Sequence, residues 1–331
     1  MYVLGIETSC DETAASIVKD GKNILSSVVS SSLEEHAPYG GVIPEIASRM
    51  HLESITRVVD SAIRQAKIKL KDVGLVSVTA GPGLAGSLLV GVSFAKALSL
   101  GINAPLLGVD HLSSHIYANF LSGSRPALPF VALIVSGGHT VLFYVKDLDK
   151  IDVLGSTHDD ACGEAFDKVA KILKLGYPGG PVIERLAKRG DPEKLKFKCS
   201  NTDRPLDFSF SGIKTAVMYF AKKNSSRLRS PGSKLTRDIA ASFQEAAIDT
   251  LIRKSFLACK MKKAGRLVIG GGVAANGRMR EKFFAQAGDK GIDVYFPERK
   301  LCMDNAAMVA GLGYQLFRKG RESGLGLNIG G

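Results

Sequence analysis

The sequence predicts an α/β protein of two similar lobes around a cleft, each lobe opening on a meander of three strands and continuing with alternating helices and strands. Three observations carry this expectation. The order of elements read from residue 2 restarts at residue 130. VKDGKNILSS, which joins the second and third strands of the first meander, is echoed at the same place in the second by VKDLDKIDVLGS. Glycine-rich turns at 79–87, 135–140 and 269–278 each follow an apolar run, and two of them lead into a helix.

Residues 2–7, 13–19 and 23–29 read as strands, with Asp20-Gly21 supplying the positive φ that a tight hairpin needs. A long helix starts at Pro44, where proline suits the first helical position, and Ile46, Met50, Ile55, Val59 and Ile63 recur at helical spacing. A strand at 75–79, a helix at 86–98, a strand at 106–109 and a helix carrying His111 and His115 follow. The second lobe opens with strands at 130–135, 140–145 and 151–154, and helices come next. Residues 190–237, with two proline-containing charged stretches, read as an insertion, and a helix from 238 to 261 returns the chain to the core. The lobes are expected at 1–128 plus 305–331 and at 129–304.

A chain of 331 residues that is 45% hydrophobic buries a core without covalent staples. Its five cysteines are scattered, odd in number and form no Cys-x-x-Cys pair, which argues for a reducing cytoplasm and against a cysteine zinc site. The N-terminus lacks a basic segment ahead of its apolar run, so no signal peptide is expected. The weakly polar stretch 81–95 is too short and glycine-rich to span a bilayer, and no membrane role is expected. Net charge is +12, and residues 188–280 alone hold 21 Lys/Arg against 7 Asp/Glu, a surplus of 14 that leaves −2 for the rest. Lys194, Lys196 and Lys198, then Lys222, Lys223, Arg227 and Arg229, then Lys260, Lys262, Lys263 and Arg266 form three clusters suited to a phosphate backbone.

The glycine turns serve either close packing or anion binding by bare backbone N–H groups at helix N-termini. None has the GxxxxGK[ST] or GxGxxG spacing, which leaves a nucleotide held between two lobes without a P-loop. Asp11 and Glu12, in the turn after GIETSC, are candidates for holding a metal-bound water, for acting as a base, or for simple solvation. His111 and His115, at i and i+4, point to one side of a helix and offer a metal two ligands, or they are incidental. Leu112 stands where an HExxH protease needs its glutamate, so the protease reading fails on chemistry. Asp304, at the start of the last helix, offers a third ligand. His36, His51 and His158 are taken as structural or surface residues, and His139 is ambiguous.

GIETSCDETA, HAPYGGVIPEIASRMH, GPGLAGSLLVG, DHLSSHIYA, LIVSGGHT, DDACGEAFDKVAKILKLGYPGGP, DFSFSGIKTAV, IGGGVAANGRMR and CMDNAAMVAG, in this order over nearly the whole chain, resemble the bacterial TsaD family of tRNA threonylcarbamoyladenosine biosynthesis proteins. The resemblance implies the actin-like, sugar kinase and Hsp70 (ASKHA) fold, with two duplicated lobes around a nucleotide cleft. It implies an acyltransferase that moves the threonylcarbamoyl group from threonylcarbamoyl-AMP to the N6 amine of the adenosine 3′ of the anticodon in ANN-decoding tRNAs. Matched motif by motif, His111, His115 and Asp304 stand at the positions of ligands to iron or zinc. Ile134, Val135, Ser136, Gly137 and Gly138 match a substrate-binding segment, with Asp167, Gly180 and Asn276 as further contacts, an adenine nucleotide in the cleft, and Asp11 and Glu12 as carboxylates implicated in activity. The implied partners are tRNA, a TsaB-like paralogue and a TsaE-like ATPase.

The chain departs from the family at few places. Ile134 and Val135 occupy the neighbourhood where archaeal and eukaryotic relatives carry a metal-binding tyrosine, which leaves three protein ligands. Met303, His158 and Cys162 replace a common threonine, arginine and alanine. The competing readings are a carbamoyl or sugar phosphotransferase on the same fold, a metalloendopeptidase, and a non-catalytic nucleotide-binding partner, the last disfavoured by the intact His111, His115 and Asp304. On the charge argument, reversing the charge of Lys222 and Lys223 lowers tRNA affinity and flattens its salt dependence, by about 0.9 in log–log slope for each phosphate no longer neutralised. An unchanged slope in filter binding would move the footprint elsewhere.

Overall fold

Asp20 and Gly21 adopt φ of 54° and 69°, the left-handed pair that a two-residue hairpin turn requires, so the first meander closes where expected. The computed structural model describes every residue except Ser124, Arg229, Pro231 and Gly331, so Arg229 of the second basic cluster lies outside the described residues. Strands β1 (Tyr2–Glu7), β2 (Glu12–Lys19) and β3 (Asn23–Ser31) pair antiparallel. Then come α1 (Leu33–His36), α2 (Pro44–Ala66), β4 (Val73–Gly81), α3 (Ala85–Ile102), β5 (Leu106–Asp110) and α4 (His111–Tyr117). β4 pairs parallel to β1 and β5 parallel to β4, giving the sheet order β3-β2-β1-β4-β5. One face of this sheet buries Leu4, Ile6, Ile17, Val76 and Val78 against Ile55, Val59 and Ala62 of α2 and Val92 and Ala95 of α3.

The second meander is β6 (Phe130–Val135), β7 (Thr140–Asp147) and β8 (Lys150–Ser156). It is followed by α5 (Cys162–Ile172), α6 (Gly179–Ala187), α7 (Ser211–Lys223), α8 (Lys234–Lys262), β9 (Arg266–Gly270), α9 (Gly277–Ala287), β10 (Asp293–Tyr295) and α10 (Ala306–Arg318). The sheet order β8-β7-β6-β9-β10 repeats the first sheet strand for strand, and VKDLDKIDVLGS joins β7 to β8 as VKDGKNILSS joins β2 to β3. Every residue of β6 is buried, and Phe166 of α5 meets Phe243 of α8 edge to face at 4.9 Å.

The chain divides into a unit of Met1–Arg125 with Pro297 onward, and a unit of Pro126–Phe296. Residues 126–128 and 297–304 thus fall on the other side of the boundary from that expected. For the second segment the reason is packing: Leu301 and Cys302 are buried, and the Glu298 N–H donates to Ser122 Oγ at 2.9 Å. α8 starts at Lys234 rather than 238, because the Ser233 side chain caps it by accepting from the Thr236 N–H at 3.2 Å. The expected insertion contains a helix of its own, α7, whose buried Ile213, Val217 and Ala221 recur every four residues. The apolar stretch expected to end at 95 continues to Ile102, so α3 is long and apolar enough to cross a membrane by length and composition; it packs on β4 and α2.

α10 covers the other face of the first sheet. At Gly5 a Cβ would stand 2.1 Å from the Ala306 carbonyl oxygen and 2.8 Å from the Ala310 nitrogen, so only glycine lets the first turn of α10 rest on β1. Gly5→Ala therefore forces helix and strand apart. Urea unfolding is expected to show a loss of about 1–3 kcal/mol at unchanged m.

Candidate functional site

The site in the first unit is built from three segments. β1 is apolar until its last residue, Glu7, which is fully buried. Asp110 ends β5 and caps α4: its carboxylate accepts from the Ser113 N–H at 2.6 Å, so His111 opens the helix and His115 follows one turn later. Asn305 caps α10, accepting from the Met308 N–H at 3.1 Å and donating to the Met303 carbonyl at 2.9 Å, which fixes the residue between them, Asp304. The two imidazole rings stand 4.7 Å apart at 79°.

Asp304 Oδ1 lies 3.0 Å from His115 Nε2 and 3.6 Å from His111 Nε2, and the ligand atoms of the three residues all lie within 4.8 Å of one another. Ligands held about 2.0–2.2 Å from one ion stand about 3.0–3.5 Å apart, so the trio has the spacing of a metal site. His111 is 5% exposed and His115 0%, while the Asp304 side chain is 21% exposed and leaves its side of the site open. The three expected ligands, two from α4 and one from the segment just before α10, are thus brought together.

The charges around them are coupled. Burial favours a neutral Glu7, but the charge and hydrogen bond of His111 outweigh it and hold the carboxyl below the usual carboxylate range. Burial likewise opposes charge on His111, and Glu7 and Asp304 reverse it, raising the imidazole above its usual range. For Glu12 burial leads, the carboxylates of Asp304, Asp11 and Glu7 add to it, and the group is pushed up to about 8; its Oε2 is buried without a hydrogen-bond partner among the described residues. Asp11 is half-buried in the turn, its carbonyl accepting from the Ser32 N–H at 3.1 Å and the Ser32 hydroxyl at 2.7 Å. Burial, with Asp11 next, pushes the Cys10 thiol far up, which keeps it protonated. His36 and His51 are structural as expected: His36 bonds Ser32 Oγ and the Ile43 N–H, each at 3.2 Å, and His51 bonds Thr13 Oγ1 at 2.8 Å and the Cys10 carbonyl at 3.0 Å. His158 pairs with Asp207 at 2.7 Å on the surface.

The remaining candidates lie in the second unit. Ile134 and Val135 are wholly buried in β6, so their side chains face the core and only Ser136–Gly138 form the turn. In that turn the Ser136 N–H donates to the His139 carbonyl at 2.8 Å. Gly163, opening α5, and Gly271, at φ 89°, each lie so close to the turn's backbone that a Cβ would meet Ser136 or Val135 oxygen at 2.6 or 2.4 Å. Asp167 accepts from the Gly179 N–H at 2.7 Å beside Gly180 at the start of α6, and Asn276 caps α9 while its amide donates to Gln244 at 2.9 Å. The Gly277 N–H donates to Glu184 at 3.0 Å, linking α9 to α6. At the N-termini of α5, α6 and α9 the first backbone N–H groups are already taken within the chain, Cys162 by Thr140 Oγ1, Gly163 by the Ser136 carbonyl, Gly179 by Asp167 and Gly277 by Glu184. A cavity of about 1020 Å³ at the end of α8, lined by Phe256, Lys260 and Ile292 among others, contains none of these residues.

Sequence reasoning passed over Glu7 and Thr79. A signal for Glu7 was present: it is the one charge on an otherwise apolar strand.

The sequence model of the family described as TsaD, tRNA N6-adenosine threonylcarbamoyltransferase, matches residues 23–311. The chain belongs to the TsaD family. It is 51% identical over 328 residues to the tRNA N6-adenosine threonylcarbamoyltransferase of Thermodesulfovibrio yellowstonii, covering 99% of this chain and 98% of the relative. The protein of the same name from Dictyoglomus turgidum is 49% identical over 331 residues, with 99% and 97% covered. Among solved structures, full-length HypF superposes with a TM-score of 0.61 at 12% identity over 96% of this chain and 46% of its own. Component A of the Acidaminococcus fermentans (R)-2-hydroxyglutaryl-CoA dehydratase superposes with 0.54 at 19% identity over 96% and 98%. These TsaD-family lobes have the actin-like fold, and the family makes the chain a transferase of the tRNA-modifying kind.

The raised carboxyl of Glu12 has a consequence for stability. An unfolded glutamate ionises near 4.5 and the folded one near 8, so the native state binds the extra proton between these values and stability falls as pH rises through that window. Metal-stripped Glu12→Gln lacks this term. Its melting temperature should gain on wild type from pH 5.5 to 8.5, and parallel curves for the two proteins would contradict the assignment.

Proposed function

We propose that the chain transfers the threonylcarbamoyl group from threonylcarbamoyl-AMP to the N6 amine of the adenosine 3′ of the anticodon in ANN-decoding tRNAs. The observation that carries the reading is the buried trio of His111, His115 and Asp304 in a chain of this family. The trio's two imidazoles and one carboxylate suit a divalent iron or zinc ion, which when bound supplies Lewis-acid stabilisation of charge growing on the carbamoyl and phosphate oxygens.

The chain's own groups account for the rest. Backbone N–H groups of Gly137 and Gly138 in the second glycine turn hold the AMP phosphate, with Asp167, Gly180 and Asn276 shaping the nucleotide site. The adenosine N6 attacks the carbamoyl carbon, a C–N bond forms, the bond from that carbon to the phosphate oxygen breaks, and AMP leaves with the electron pair. The N6 proton goes to a carboxylate of the first hairpin. The target base leaves its stack to reach these groups, while the exposed Lys222 and Lys223 at the end of α7 and Lys260, Lys262 and Lys263 at the end of α8 meet the tRNA backbone. A TsaB-like paralogue and a TsaE-like ATPase act with the chain in the cytoplasm, a compartment consistent with five free cysteines.

Labelled threonine, supplied through threonylcarbamoyl-AMP to an unmodified ANN-decoding tRNA together with both partners, is expected to appear in the tRNA with wild type. It should fall by at least about 100-fold with His111→Ala. No label with wild type would overturn the reading, and ATP turnover on a small acceptor without tRNA would favour a phosphotransferase.

A further inference from the structure

We infer that Glu7 is a positioning residue for His111, aiming its Nε2 at the metal position shared with His115 and Asp304. The inference rests on reading that trio as a metal site. Glu7 ends β1 with 0% exposure, and each of its oxygens has a defined donor. Oε1 accepts from the Ser9 N–H at 2.6 Å. Oε2 accepts from the Thr79 hydroxyl of β4 at 2.6 Å and from His111 Nδ1–H at 3.0 Å. The carboxylate is therefore fixed by backbone and by a neighbouring strand before it meets the imidazole.

That geometry decides which ring nitrogen is available. A histidine whose Nδ1 proton is held by a carboxylate has Nε2 as its ligating atom, and the carboxylate makes that nitrogen a stronger donor. Here Nε2 is the atom 3.6 Å from Asp304 Oδ1, on the side of His115 Nε2. Glu7 is not itself one of the ligands: its oxygens are taken by three donors, and it stands outside the trio whose atoms converge. Ser9 Oγ, 3.2 Å from the same Nδ1, is a neutral second contact that cannot supply the charge. Among the described residues His115 Nδ1 is buried without a hydrogen-bond partner, so the orienting effect falls on His111.

The test uses the full-length, metal-stripped protein and zinc or anaerobic ferrous ion in competition with a chromophoric chelator. Glu7→Gln keeps the volume but removes the charge, and it is expected to weaken metal binding about 10–100-fold. Added to His111→Ala, the same change should cost nothing further, because the residue it acts through is gone. Thr79→Val loosens one support of the carboxylate and should show a smaller loss, which keeps the inference testable should Glu7→Gln not fold. In the metal-free protein, the His111 Nδ1–H resonance should be shifted downfield and slow to exchange, and should lose both properties in Glu7→Gln. A folded Glu7→Gln with wild-type affinity, or an equal loss in the His111→Ala background, would overturn the inference. If wild type itself bound neither metal, the trio's reading would fall, and the Nδ1–H resonance would still decide whether Glu7 holds the ring.

Discussion

Four carboxylates, those of Glu7, Asp11, Glu12 and Asp304, lie near one another in a partly to wholly buried place, and the first unit is organised around making that tolerable. Charge in a poorly solvated pocket is costly unless it is paired. Glu7 meets the condition with three donors, the Ser9 N–H, the Thr79 hydroxyl and the His111 imidazole, and Glu12 meets it by holding its proton to about 8. The arrangement also needs the chain to come close. Gly91 of α3 lies where a Cβ would stand 2.2 Å from Thr8 Oγ1, and Gly5 admits α10 on the other face, so two helices press on the residues at or just past the end of β1 from opposite sides. A cation at the trio would offset the remaining negative charge.

The hairpins, the glycine turns and the histidine pair were legible because each depends on neighbours in sequence. Asp20-Gly21 at positive φ and the i, i+4 spacing of His111 and His115 are local facts, and β1 and β6 have the bounds their apolar runs predict. What escaped depends on contacts made far along the chain. Glu7 becomes an orienting group only through Thr79 and His111, 72 and 104 residues away. Residues 297–304 join the first unit through Leu301, Cys302 and the hydrogen bond of Glu298 with Ser122, none of which leaves a periodic signal. α7 escaped because Ser211-Gly212 and flanking charges hid a short buried stripe of Ile213, Val217 and Ala221. Of the matched segment 134–138, Ile134 and Val135 stay in β6 with buried side chains and Ser136–Gly138 leave the strand.

The two sheets also show how one backbone plan was given two chemistries. β1 and β6 occupy the same place in their sheets, each pairing antiparallel with the next strand and parallel with a later one. After β1 the turn reads Thr-Ser-Cys-Asp and begins from a buried carboxylate; after β6 it reads Ser-Gly-Gly-His and begins from a buried valine. Acidic side chains at the first turn repel anions and favour a cation or a proton, whereas bare glycine N–H groups at the second attract phosphate. The helices follow suit. α4 and α10 bring histidines and an aspartate to the first turn, while α5 and the segment before α9 bring only glycines close enough to exclude any side chain from the second. The two equivalent strand ends thus carry opposite endowments, carboxylates at the first and bare glycines at the second.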